Sequence, residues 1–111
     1  MQLPVQEVQA LLESADPATP PVLLDVREPW EVQTASIRSP HAPTLHIPMR
    51  EIPSRLGELP QDRPILCYCH HGMRSMQVVR FLRQQGFDEA VNVDGGIDAW
   101  SQQVDPAVPR Y

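Results

Sequence analysis

The residues of this chain best equipped for chemistry are Cys69-His70-His71-Gly72-Met73-Arg74-Ser75, which directly follow the apolar run Ile65-Leu66-Cys67-Tyr68. A cysteine placed where a buried strand gives way to a helix faces free backbone N–H groups and the positive end of the helix dipole. Both stabilise a thiolate. With Arg74 and two histidines alongside, the Cys69 pKa is expected to fall from about 8.5 into the range of roughly 3.5 to 7.5. Successive N–H groups in such a loop form a concave nest for an anion, and Gly72 supplies the backbone freedom the turn needs. The expected chemistry is nucleophilic attack by sulfur.

Spacing narrows the substrate. Protein tyrosine phosphatases and the related arsenate reductases place five residues between nucleophilic cysteine and arginine, whereas Cys69 and Arg74 enclose four and Cys67 and Arg74 enclose six. A main-chain ring shorter by one residue suits a group smaller than phosphate, such as the terminal sulfur of a persulfide. Cys67 lies two residues earlier on the strand, where a small hydrophobe belongs, so it is expected to pack in the core rather than serve as a resolving thiol. Cys67-x-Cys69-His70-His71 could be read as a metal site. Structural zinc needs two separated ligand pairs, however, and His41 and His46 supply no second one, so no metal is expected. Arg74 has two readings, contact with an anion or an ion pair with Asp25 or Glu28. Asp25, a carboxylate that would repel an incoming anion, is expected to order the neighbouring loop.

Alternating elements must position these groups. Val5, Val8, Leu11 and Leu12 share one helical face, predicting a helix over Pro4–Ser14. The continuous apolar run Val22–Val26 reads as a strand buried on both faces. A short helix over Glu28–Val32 follows, then a proline-rich loop over Ser36–Thr44 and a strand at Leu45–Ile47. Ile52, Leu56 and Leu59 predict a helix over Pro53–Leu59. The strand Ile65–Tyr68 delivers Cys69, and a helix over Ser75–Gln85 ends at Gly86. Ala90–Val93 is the last strand, and Gly95-Gly96 opens a helix carrying Ile97 and Trp100. Trp30 and Trp100 are expected to cover the core, and Val104–Tyr111 reads as a proline-broken tail. This order implies a parallel sheet with helices on both faces, whose ligands sit beyond the carboxyl ends of the strands. Asp25 and Cys69 both fall at that end.

Composition excludes several classes. The 111 residues amount to one domain, 1–111, and 41% hydrophobic with 21% charged residues is ordinary for a water-exposed globule. The formal charge is −5, with nine arginines and no lysine, which argues against nucleic-acid binding. No apolar run approaches the roughly 20 residues of a membrane span, and the start of the chain resembles no secretory signal. The two cysteines are therefore expected to be thiols in the cytoplasm. The 13 prolines are scattered and punctuate short elements.

Three segments in order, Leu23-Leu24-Asp25-Val26-Arg27-Glu28-Pro29-Trp30-Glu31, the Cys69–Ser75 loop and Asn92-Val93-Asp94-Gly95-Gly96-Ile97-Asp98-Ala99-Trp100, make nearly the whole chain resemble the rhodanese family of sulfurtransferases. The resemblance implies a small α/β/α sandwich around a five-stranded parallel sheet. It implies that Cys69 takes sulfane sulfur from a donor such as thiosulfate, becomes a persulfide, and passes the outer sulfur to cyanide or a thiol. His70, His71, Gly72, Met73, Arg74 and Ser75 would surround the substrate, with Asp25 and Arg27 in support. Neither metal nor organic cofactor is implied. The His-Ile-Pro-Gly-Ala-like segment usual after the second helix is replaced by Ser36–Thr44, a loop expected to border the pocket mouth. The basic residues that usually follow the cysteine are replaced by His70 and His71, which weakens the case for thiosulfate and leaves protein-borne or low-molecular-weight persulfides open as donors. The alternatives are a non-catalytic binding module on the same scaffold and a cysteine-dependent phosphatase or arsenate reductase.

Overall fold

The two most apolar runs of the sequence form the middle of the sheet. In the computed structural model, which describes residues 1–111, β2 (Val22–Asp25) and β4 (Ile65–Tyr68) pair side by side with every residue buried. β3 (Thr44–His46) lies outside β2, while β5 (Ala90–Val93) and then β1 (Gln2–Leu3) lie outside β4, giving the order β1-β5-β4-β2-β3. All four pairings are parallel, so every strand ends at the same edge.

The period-two alternation of the strands sorts side chains into two cores. Leu23, Leu66 and Tyr68 point to one face and pack with Val5, Val8 and Leu12 of α1 (Val5–Ser14) and Ile97 and Trp100 of α4 (Gly96–Gln103). Leu24, Ile65 and Cys67 point to the other, against Val78, Val79 and Leu82 of α3 (Met73–Gln84). The remaining helix, α2 (Pro29–Thr34), follows β2 at the carboxyl edge. No helix is long and apolar enough to cross a membrane.

Several sequence-based expectations are corrected. The expected helix over 53–59 is two 3-10 turns, Met49–Ser54 and Leu56–Glu58: the chain already coils from Met49, and Pro53, falling inside that turn, has no N–H to bond Met49 O and extend it as an α-helix. α3 starts at Met73, two residues before the expected Ser75, since Gly72 with φ +106° already caps it. Trp30 is 62% exposed and the buried residue of α2 is its neighbour Glu31. Trp100 is buried as expected. The Ser36–Thr44 loop leaves the carboxyl edge after its first residues, where the Ile37 N–H donates to the Tyr68 hydroxyl. Its Pro40–Pro43 stretch faces Ala15, Pro17 and Pro20 at the opposite end, where the Leu23 N–H donates to Pro43. A His-Ile-Pro tripeptide is present after all at His46-Ile47-Pro48, and it sits at the functional edge, with His46 Nε2 2.7 Å from the Arg27 carbonyl. The tail is ordered by packing: Val108 is buried in the α1/α4 core and Ser101 Oγ donates to its carbonyl.

Candidate active site

β4 hands the chain to α3 through Cys69–Gly72, and this turn wraps its amides around one sulfur. Cys69 Sγ accepts a hydrogen bond from Gly72 N at 3.0 Å and lies 3.3 Å from Ser75 Oγ. Burial pushes the Cys69 thiol up, but the Ser75 hydroxyl and the N–H groups of Ser75, Gly72 and Arg74 outweigh it and hold the thiol below its ordinary value. The residue is only 2% exposed, so its sulfur is enclosed yet faces donors rather than hydrocarbon.

The cup is braced from behind. The first amides of α4 hold the loop carbonyls, with Ile97 N donating to Cys69 O at 3.0 Å and Asp98 N to His70 O at 3.1 Å. That contact requires Gly96: a Cβ there would stand 2.5 Å from Cys69 O and 2.6 Å from His70 O. Buried Asn92 on β5 ties the other side. Its Nδ2 donates to Gly72 O at 3.1 Å and its Oδ1 accepts from Ser75 Oγ at 2.5 Å. The single Ser75 proton is therefore shared between Asn92 and the sulfur, and developing charge on sulfur draws it inward.

Cys67 is a different thiol. It is fully buried among Leu24, Ile65 and α3, and that burial, followed by the nearby Cys69, pushes its pKa up. Both cysteines are free.

A chain of alternating charges runs along the same edge. The Asp25 carboxylate accepts from Arg27 Nε at 2.9 Å and Nη2 at 2.7 Å, and from the Arg27 backbone N–H. Asp25 thus orders the turn after β2. Arg74 does not pair with Asp25 or Glu28, the partners expected from sequence. Its two terminal nitrogens grip Glu31 at 2.7 and 2.9 Å. Arg74 first, then Tyr111 and the Glu28 backbone, pull the Glu31 carboxyl down to about 2 against the opposing effect of burial. The Tyr111 hydroxyl donates to Glu31 at 2.7 Å and accepts from Arg27 Nη1 at 2.9 Å, closing the series Asp25, Arg27, Tyr111, Glu31, Arg74.

His70 is stacked between His71 and Tyr111, each 3.9 Å away between ring centres. His71 Nε2 lies 3.9 Å from Asp98. His70, His71 and Asp98 thereby cluster, with one possible ligand atom of each within 4.8 Å of the others. Met73 is 79% exposed on the rim.

All the loop residues singled out in the sequence, Cys69 through Ser75, meet here, with Asp25 and Arg27 in the adjoining charge series. Three contributors were not anticipated. Glu31 and Asn92 lie inside the segments that carried the family resemblance, where their spacing to Arg27 and Gly95 was a usable signal. Tyr111 has no local signal, because its contact is made across 80 residues of chain.

The chain matches the rhodanese-like domain model over residues 4–103. It is 41% identical over 87 residues to a sulfurtransferase of Allochromatium vinosum, covering 78% of each chain. It is 38% identical over 106 residues to a putative sulfurtransferase of Bacillus subtilis, covering 96% of this chain and 98% of the relative. A rhodanese-related protein of Thermoplasma volcanium has a similar crystal structure, with a TM-score of 0.80, 29% identity and coverage of 99% and 98%. The names of these relatives support sulfur transfer as the class of activity. With the cysteine cup, the five parallel strands and the three ordered segments in agreement with that match, the chain belongs to the rhodanese-like domain family.

Proposed function

We propose that this protein is a sulfurtransferase that carries sulfane sulfur as a persulfide on Cys69. The supporting observation is the orientation of one sulfur: Cys69 Sγ faces Gly72 N and Ser75 Oγ, so charge on it is held by donors already in place. In the first step the Cys69 thiolate attacks the outer sulfur of a donor R–S–S(H). The Cys69–S bond forms, the donor's S–S bond breaks and its electron pair leaves with R–S⁻. In the second step an acceptor nucleophile, a thiol or cyanide, attacks that outer sulfur and Cys69 leaves as thiolate. No external electron carrier is consumed. In this reading the donors that face Cys69 Sγ receive the small terminal sulfur, with residues 70–75 around it.

Two features favour a persulfide over thiosulfate as donor. The Arg74 guanidinium is already committed to Glu31, and the residues after the cysteine are stacked histidines, with His70 held low by burial and then by His71. The partners are accordingly a low-molecular-weight or protein-borne persulfide and a thiol acceptor.

The test is mass spectrometry of the intact protein before and after incubation with glutathione persulfide or thiosulfate. A gain of one sulfur, mapped to the Cys69 peptide and absent in Cys69→Ser, is expected. Failure of every donor to add sulfur overturns the proposal. Turnover of p-nitrophenyl phosphate or arsenate would overturn the ring-size reasoning behind it.

A further inference from the structure

Tyr111 stands outside the residues matched by the family model, which end at 103, yet its side chain is built into the edge of the cup. Three contacts return it there. Val108 is buried against α1 and α4, Ser101 Oγ holds the Val108 carbonyl, and Arg110 Nε donates to Asp98 at 2.9 Å. The Tyr111 ring then stacks on His70 at an interplanar angle of 10°, with Trp30 edge-on at 6.0 Å. Its hydroxyl supplies the fourth donor to the Glu31 carboxylate, after the two nitrogens of Arg74 and the Glu28 N–H at 3.1 Å.

Saturating Glu31 in this way has a consequence for substrate choice. A carboxylate with four donors on two oxygens is fixed in position, and its fork-to-fork grip on Arg74 is fixed with it. The second guanidinium of the edge, Arg27, is occupied by Asp25 and by Tyr111 itself. Arg27 is moreover wholly buried, so a doubly charged donor entering the cup can meet only the Arg74 guanidinium, which is already neutralised, and it has to displace Glu31 to gain it. A persulfide sulfur bears at most one charge and needs only the N–H groups of the loop.

Resting on the sulfurtransferase reading above, we propose that Tyr111 is a specificity-determining residue that locks Glu31 onto Arg74 and so selects persulfide donors over oxyanionic ones. Burial above all, with Glu31 adding to it against the opposing pull of Arg27, raises the hydroxyl to about 12, so it remains a donor to Glu31 throughout the neutral range. Tyr111→Phe keeps the ring on His70 and removes the lock.

The experiment measures single-turnover loading of Cys69 by intact mass, over a range of thiosulfate and, separately, glutathione persulfide concentrations. Its readout is the ratio of the two second-order constants. With thiosulfate the bond broken is its S–S bond and the leaving group is sulfite. Loss of one hydrogen bond to a charged group is expected to raise the thiosulfate-to-persulfide ratio about tenfold in Tyr111→Phe, through a lower apparent KM for thiosulfate. Tyr111→Leu, which also removes the ring, should raise it by the same factor. In a Glu31→Gln background the Tyr111→Phe change should shift the ratio no further. An unchanged ratio in both variants overturns the inference. So does a rise confined to Tyr111→Leu, which would assign selection to the ring, or a full additional rise in the Glu31→Gln background. If wild-type protein is loaded by neither donor, the sulfurtransferase reading itself fails and takes this inference with it.

Discussion

Strand β4 and the loop that follows it each hold a cysteine two residues apart, equally hidden from solvent and opposite in character. Cys67 is 0% exposed and Cys69 2%, so accessibility does not separate them. What separates them is the backbone. In the strand the backbone is paired with both neighbouring strands and no donor faces the Cys67 sulfur, so burial, followed by the nearby Cys69, raises its pKa. One step past the strand the amides of Gly72, Arg74 and Ser75 are not yet taken up by the helix, and they turn toward Cys69. Burial makes a thiol inert or nucleophilic according to whether unpaired donors are buried with it.

The sharpest way to break this comparison is to remove each thiol in turn. Cys69→Ser should reduce sulfur loading to background, a loss of at least about a thousandfold, whereas Cys67→Ser should stay within about twofold of wild type in intact-mass loading assays. Next in size is the brace behind the loop. Gly96→Ala puts a methyl group against Cys69 O and His70 O, so the loop has to move and its amides lose their aim at sulfur. Loading should fall about a hundredfold, and calorimetry should show a lower Tm. Ser75→Ala removes one donor and leaves the amides in place. About a tenfold loss in loading rate at neutral pH is expected, with the pH–rate profile displaced to higher pH.

The smallest effect concerns the charge series beside the loop, which the strand region lacks. The Glu31 carboxyl is lowered in the folded protein from 4.5 to about 2. Between these values the unfolded chain binds the proton and the folded one does not, so the stabilisation is complete above about pH 4.5 and disappears as pH falls toward 2. Acid titration of stability should show this loss in wild type and a shallower one in Glu31→Gln.

The sequence revealed the sheet and the cup well because both rest on local patterns. Runs such as Val22–Asp25 and Ile65–Tyr68 admit one placement, at the centre of a parallel sheet, and Cys69 to Ser75 form a contiguous loop. β1 escaped notice because two residues, Gln2 and Leu3, carry no periodicity and form a strand only through pairing with Asn92 and Val93. The partner of Arg74 is not legible for a related reason. Asp25, Glu28 and Glu31 are all near in sequence, and only the turn after β2 decides that Asp25 takes Arg27 while Glu31 faces α3. Trp30 stands at a helical position that reads as covering the core, but α2 turns its buried side, Glu31, toward the ion pairs. Tyr111 depends on tail packing at Val108 that no local pattern announces.

The central claim is that the loop, and not the strand, carries the ionised thiol. Alkylation of native protein with iodoacetamide from pH 5 to 10, followed by peptide mapping, tests it directly. Cys69 should react with a midpoint below the free-thiol value of about 8.5, while Cys67 stays unmodified until the protein unfolds. A Cys69 midpoint at or above that value, or labelling of Cys67 at a comparable rate in the folded protein, would contradict the account.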